Sequence, residues 1–140
     1  MASSLLGGAW KSVQMIDALF NQPNFLIANK ALDAAVMREG AIANNIANLE
    51  TPGYKRIDVA PSFEQELQRA SASGDASQIN AVEPQLAVDP NATSTSLDGN
   101  TVHLETELMQ MNQNAMTHAL ETQLIGGMFS RMQMAITGKD

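Results

Sequence analysis

Two histidines, two closely spaced glutamates and a scatter of glycines are the residues here whose types could support chemistry, and none of them forms a catalytic set. His103 sits in an acidic helical turn and His118 on an apolar row, places that suit a surface or packed imidazole better than a ligand. A zinc site would need both histidines plus carboxylates, because the chain has no cysteine to supply a thiolate. The same lack excludes disulfides and a cysteine nucleophile. Glu64 and Glu66 flank Gln65, a spacing that sends them to different faces of a helix instead of pairing them as acid and base. The glycines match neither GxGxxG nor the Walker pattern that cradles a phosphate. No catalytic residue, metal or cofactor is expected, and an enzyme has no residues to support it.

What must be positioned is therefore surface. The 140 residues fit one domain of ordinary size, with 44% hydrophobic residues but only 4% aromatics, so Ala, Leu, Ile and Met carry the apolar load. A formal charge of −7 argues against general affinity for nucleic acid or anionic lipid. That charge falls entirely on residues 61–140, while residues 1–60 balance to zero, so a neutral front and an acidic back offer an electrostatic match between molecules; an acidic face simply solvated by water is the plainer alternative. No uncharged apolar run approaches the ~18 residues that span a bilayer, so the chain is not expected to cross a membrane. The opening MASSLLGGAWK has no basic region ahead of its apolar stretch and reads as a poor cleavable signal peptide.

The apolar spacing predicts a mainly α chain: two long end helices packing as a coiled-coil-like pair, joined by an irregular connector with at most a short β element. Residues 1–24 form an extension with a short amphipathic helix over 9–20, in which Trp10 fits either an interface or a partly buried position. Pro23 biases Gln22 away from helix, and Asn24 is a good cap for a long helix over 25–50. There Phe25, Ala28, Leu32, Ala35, Glu39, Ile42, Ile46 and Leu49 recur in steps of three and four, with Val36 and Ala43 widening the stripe. Thr51-Pro52-Gly53-Tyr54 suits a type II turn, since Pro52 fixes its φ and Gly53 supplies a positive one.

Residues 51–100 are expected to form this turn and a flexible connector. Within it, 55–60 read as extended, a turn or two of helix as following Pro61, and a short strand as lying near Gln85–Val88. Apolar residues are sparse from Ser71 to Asn100, too few to repay the ordering of that segment by themselves. Asn100 or Thr101 is placed to cap a last helix over 101–138, which Gly138 ends. One apolar row of that helix is Leu104, Leu108, Met111, Ala115, Ile125, Phe129, Met132 and Ile136; Met109, Met116, Leu120, Leu124 and Met128 form a second beside it. A single partner helix cannot cover both rows, so the excess points to assembly with other chains. Gly126-Gly127 fits a bend or a close-packing point, and the spacing does not choose between them.

Two segments then carry a resemblance. The run NNIANLETPGYKR from Asn44 to Arg56 resembles the signature of bacterial flagellar rod and hook proteins, with Asn44, Asn45, Ile46, Ala47 and Asn48 followed by Thr51, Pro52, Gly53, Tyr54 and Lys55. SLDGNTV from Ser96 to Val102 looks like the stretch leading into the last helix of the proximal rod members, and the short length suits them too. The resemblance covers roughly 25–69 and 96–138. It implies a structural subunit of the basal-body rod, exported by the flagellar type III apparatus without a cleaved leader and assembled into the axial drive-shaft across the periplasm.

The neighbours it implies are further copies of the chain, the rod proteins FlgC and FlgF, the adaptor FliE and the membrane ring protein FliF, with transient reading by the export gate protein FlhB. The Asn residues and Tyr54 then suit a subunit junction, and Lys55 and Arg56 an acidic face of an adjacent copy. Phe63 and Leu67, four apart, fit an export-gate motif or simply a packing pair on one helix face. FlgC itself and a cytoplasmic helical adaptor or export chaperone are the alternative identities.

Overall fold

A computed structural model describes residues 22–94 and 96–138. The short helix expected over 9–20, Trp10 with it, and Lys139 lie outside the described residues. Helix α1 spans Pro23–Ala47, β1 Ile57–Val59, α2 Pro61–Ser73, α3 Ala76–Ala81, β2 Leu86–Val88 and α4 Leu104–Thr137. The chain is mainly α, with one short antiparallel strand pair that sets Ile57 opposite Val88 and Val59 opposite Leu86.

Local chemistry sets the boundaries. Gln22 is extended (φ −65°, ψ 129°), as a residue before proline prefers, and Pro23 opens α1 where its missing N–H costs nothing. The helix therefore begins a residue before the Asn24 cap that the sequence predicts. It ends at Ala47, where the four-residue bonds give way to three-residue ones from the Asn48 N–H to the Asn45 carbonyl and from the Leu49 N–H to the Ile46 carbonyl. The turn that follows is as expected: the Tyr54 N–H bonds the Thr51 carbonyl at 3.2 Å and Gly53 has φ +73°. Helix α4 starts later than predicted, with His103 at its N-cap and no side-chain cap bond, because Asn100 and Thr101 are engaged elsewhere. Its other end is the expected Gly138 in a left-handed conformation (φ 61°).

The long helices run antiparallel. Asn45 meets Glu107, Ala35 meets Asn114, and Phe25 meets Phe129 edge-on with ring centroids 5.6 Å apart. At ~1.5 Å per residue, α1 is about 37 Å long and α4 about 51 Å, so α4 runs on past the start of α1. Helix α1 buries two faces. Phe25, Ala28, Ala35 and Ile42 lie on one, while Ala34, with Leu26, Ile27 and Met37 partly buried beside it, turns to the middle of the chain. Val36 and Glu39 are exposed, so the apolar stripe is narrower there than its spacing suggests.

The middle of the chain departs most from expectation. Residues 51–100 hold two helices and both strands, and several of their few apolar side chains are buried. Ile79 (0% exposed), Val82, Phe63, Ala70 and Val59 close with Ala34 into one core cluster. The segment does not close a core by itself; it packs against Ala34, Leu26, Ile27 and Met37 of α1, so sparse hydrophobic residues suffice. Asp75 nucleates α3 by accepting the Ser77 N–H at 2.8 Å.

Replacing Ile79 by Ala is expected to lower stability by about 2–5 kcal/mol in urea unfolding, since it opens a cavity in this cluster. Leu97, wholly exposed on its turn, should tolerate the same change within about 0.5 kcal/mol.

Candidate functional site

Around Arg56, two cations and three carboxylates meet between β1, β2 and the first turn of α4. The Arg56 guanidinium donates to Glu107 Oε1 (Nε, 2.6 Å), Asp89 Oδ2 (Nη1, 2.6 Å) and Asp58 Oδ2 (Nη2, 3.1 Å). Arg38 of α1 donates to the other Asp58 oxygen at 3.0 Å. The Glu107 side chain is fully buried, and Arg56 is nearly so. Burial alone would lower the Arg56 pKa; the hydrogen bond and charge of Glu107, joined by Asp58, outweigh it and raise the value.

Asn45 closes the set from α1 and is itself wholly buried. Its amide donates to the Ile57 carbonyl (2.8 Å) and Glu107 Oε2 (3.1 Å), and its oxygen accepts from the Ile57 N–H (3.0 Å) and the Tyr54 hydroxyl (3.3 Å). The side chain thus behaves as a strand neighbour to β1, pairing with both backbone groups of one residue. The backbone N–H of Arg56 is met in turn by Thr101 Oγ1 at 2.8 Å.

A second fastening lies just outside. The Asn100 amide nitrogen sits among the carbonyls of Asn48, Leu49 and Thr51 at 2.8–3.0 Å, in the turn that follows α1. Gly53 donates its N–H to the Asp98 carbonyl at 2.9 Å, and Lys55 Nζ donates to the Gly99 carbonyl at 2.9 Å. Gly99, at φ +77°, comes so close to Gly53 that a side chain would touch its Cα. Asp98 accepts the Asn100 N–H at 3.1 Å, and this bond, helped by the Ser96 side chain, holds its pKa below the usual carboxylate value.

The rod-motif residues thus divide. Asn45, Asn48, Gly53, Tyr54 and Lys55 bond within the chain, and Thr51 does so through its hydroxyl to Asn48 Oδ1 (3.2 Å). Asn44 and Ala47 are exposed, as is Pro52, and Ile46 is half-buried. Arg56 pairs inside its own molecule, which corrects the expectation that it reaches the acidic half of an adjacent copy. Glu107 reads in the sequence as a helix-dipole acid; its burial and its pairing were missed. The available signal was the stripe it begins, because Glu107, Gln110, Asn114, His118 and Glu121 recur at helical spacing as polar residues on a helix otherwise rich in Met and Leu.

That stripe, continuing through Ile125, Met128 and Met132, holds the more buried positions of α4. The helix therefore turns a largely polar first half inward and its apolar rows outward. Of the first predicted row, Ile125 and Met132 are half-buried, whereas Leu104 (41%), Leu108 (42%), Met111 (44%), Ala115 and Ile136 (61%) are exposed. Phe129 is packed against Phe25. Met109, Met116, Leu120 and Leu124 of the second row are exposed by 53–68%. Phe63 is buried in the core, and Leu67 is partly buried beside it.

Three outcomes test this geometry. Arg56→Ala should cost about 3–5 kcal/mol by stranding Glu107, and adding Glu107→Leu should recover most of the loss in a double-mutant cycle. Asn100→Ala should cost about 1–3 kcal/mol in urea unfolding, since the Leu49 carbonyl loses its donor and the turn loses its tie to Asn100. Because the folded-state pKa of Asp98 lies below its unfolded value, its contribution is present above the ordinary carboxylate range and fades as pH falls through the lowered value. Unfolding midpoints of Asp98→Asn should accordingly fall less steeply in acid than those of the parent.

Residues 25–55, which carry α1 and the turn after it, match the family described as flagella basal body rod protein. The chain is 31% identical to the flagellar basal body rod protein FlgB of Borrelia hermsii, across 79% of its own length and 93% of that protein. It is 33% identical to FlgB of Cereibacter sphaeroides strain ATH 2.4.9 (79% and 91%) and 29% identical to that of Escherichia coli K12 (74% and 85%). With identities above 30% across more than nine-tenths of relatives that share the family's description, the chain belongs to the flagellar basal body rod protein family.

Proposed function

We propose that this chain is a structural subunit of the flagellar basal-body rod, set at its proximal end and built into the axial shaft that serves motility. The observation that carries this reading is the outward apolar surface of α4, where Met109, Met116, Leu120 and Leu124 face solvent in a single chain. A contiguous surface of that kind marks an interaction site, and methionine adapts to neighbours that are related without being identical. Heterologous contacts between such subunits extend a helical tube instead of closing a ring. The likeness to the FlgB proteins favours this position over FlgC and over a cytoplasmic adaptor or chaperone.

On this reading the neighbours are further copies, FlgC, FlgF, FliE and the ring protein FliF. Among the described residues no helix is long and apolar enough to cross a membrane, so contact with the membrane ring would run through protein. Export through the flagellar type III apparatus, across the periplasm and without a cleaved leader, is part of the same proposal. The Phe63–Leu67 pair serves as a signal for the gate protein FlhB only in an unfolded chain, since folding places Phe63 in the core.

Fractionation is the decisive test: the chain should co-purify with detergent-extracted basal bodies, and recovery in the cytosol alone would overturn the proposal. In isolated monomer, amide exchange is expected to be fast over 119–137 and slow over the Ala34–Ile79 cluster; uniform strong protection along α4 would count against unmet assembly surface.

A further inference from the structure

The two strands have unlike outer edges. On β1 the edge is closed: Asn45 meets both backbone groups of Ile57, and Asp58 Oδ1 takes the Val59 N–H at 2.7 Å. On β2 it is open. The Asp89 N–H bonds the Arg56 carbonyl at 2.9 Å and the Ala60 N–H bonds the Gln85 carbonyl at 2.8 Å, so Gln85, Ala87 and Asp89 are the residues that face β1. In an antiparallel pair the residues between them turn their N–H and C=O groups the other way. Those residues are Leu86 and Val88, and no described residue bonds their backbone groups. Pro84 and Pro90 continue the same alternation without an N–H, which keeps the open edge short.

Side chains alternate as well. Leu86 (43% exposed) and Val88 (57%) lie on the face of Ile57 and Val59, whereas Ala87 lies with Asp58 on the opposite face. A cavity of about 230 Å³ adjoins the pair there, lined by Arg38, Asp58, Glu64, Ala87 and Asp89 among others. Two of its three carboxylates are already matched, Asp58 by Arg38 and Arg56, and Asp89 by Arg56. Glu64, in the first turn of α2, is exposed and forms no ion pair among the described residues. The cavity thus has one negative charge left over, beside a strand edge with open backbone groups.

We propose that the outer edge of β2 takes a third, antiparallel strand from another protein, an extended segment in which one basic residue stands between two aliphatic ones. The aliphatic residues exchange backbone bonds with Leu86 and Val88 and cover those side chains on their shared face. The residue between them falls opposite Ala87 and so points to the other face. Ala87 is too short to fill the cavity, which leaves room for a lysine or arginine side chain to reach Glu64. Backbone bonds hold the segment, while the alternation and the charge select it. No Lys or Arg of this chain is flanked on both sides by Val, Ile or Leu, so a second copy does not supply the segment. The edge is present in a single chain, whatever assembly receives it.

The test is a titration of the full, isotope-labelled chain with the peptide acetyl-Thr-Val-Lys-Val-Thr-amide, followed by amide NMR. The Leu86 and Val88 N–H signals should move downfield as they gain acceptors, whereas that of Ala87, already bonded to β1, should move little. A peptide with glutamate for its lysine should bind about fivefold more weakly, and Glu64→Gln should remove that difference. Val88→Pro deletes a donor the fold does not use and sets a ring at the edge, so it should abolish binding while the urea midpoint stays near the parent's. Methylating both valine nitrogens of the peptide removes the same bonds from the other side and should abolish binding to the parent chain, a measurement that stands even if the proline variant fails to fold. Shifts centred away from β2, equal binding of the lysine and glutamate peptides, or no binding at millimolar peptide would each overturn the proposal.

Discussion

A carboxylate held away from water constrains much of this molecule. Glu107 is wholly enclosed, and an isolated buried charge is far too costly to persist. It is tolerated because Arg56 and Asn45 approach it from two separate elements, each arriving with further bonds already made. The requirement fixes the register of α4 against α1, the position of β1 beside α1, and the path of the turn from Asn48 to Lys55. Buried ion pairs are poor sources of net stability against an apolar core, but losing either member is severe. Such a cluster serves best to select one arrangement of two helices whose apolar surfaces alone would accept several.

Beyond that cluster the division of labour is uneven. The small apolar core is built from the middle of the chain against one side of α1, while α4 spends its first turns on polar contacts and sends methionine and leucine outward. An ordinary helical bundle does the reverse, hiding the apolar stripe and wetting the polar one. The inversion makes sense if the molecule is an element of something larger, in which the outward rows become interior once neighbours arrive.

Much of this was legible in the sequence. The periodicity from Phe25 to Ile42 and the excess of apolar rows after Leu104 gave the two long helices, and Thr51-Pro52-Gly53-Tyr54 gave the turn and its type. The resemblance of Asn44–Arg56 gave the family. What escaped was long-range pairing. Nothing local in Ser71–Asn100 announces that Ile79 and Val82 will close a core whose other walls are more than 40 residues away in α1, because sparse apolar spacing looks the same whether it is solvated or borrowed. Asn100 reads as a cap for the helix after it, yet its amide ties down the turn that follows α1, across some 50 residues of chain. Glu107 was hidden for a related reason: an acidic residue in a first helical turn already has a sufficient local explanation.

The antiparallel pairing also gives the molecule two unlike poles. One is tied by the bonds around Asn45, Arg56 and Asn100. At the other, Pro23 and the last turns of α4 leave side by side, with Phe25 against Phe129 as their nearest tie. A label placed on Pro23 or Thr137 would crowd that single pole, where α4 overhangs the start of α1. The turn bearing Leu97, braced from beneath yet open to solvent, is the gentler place to attach a reporter.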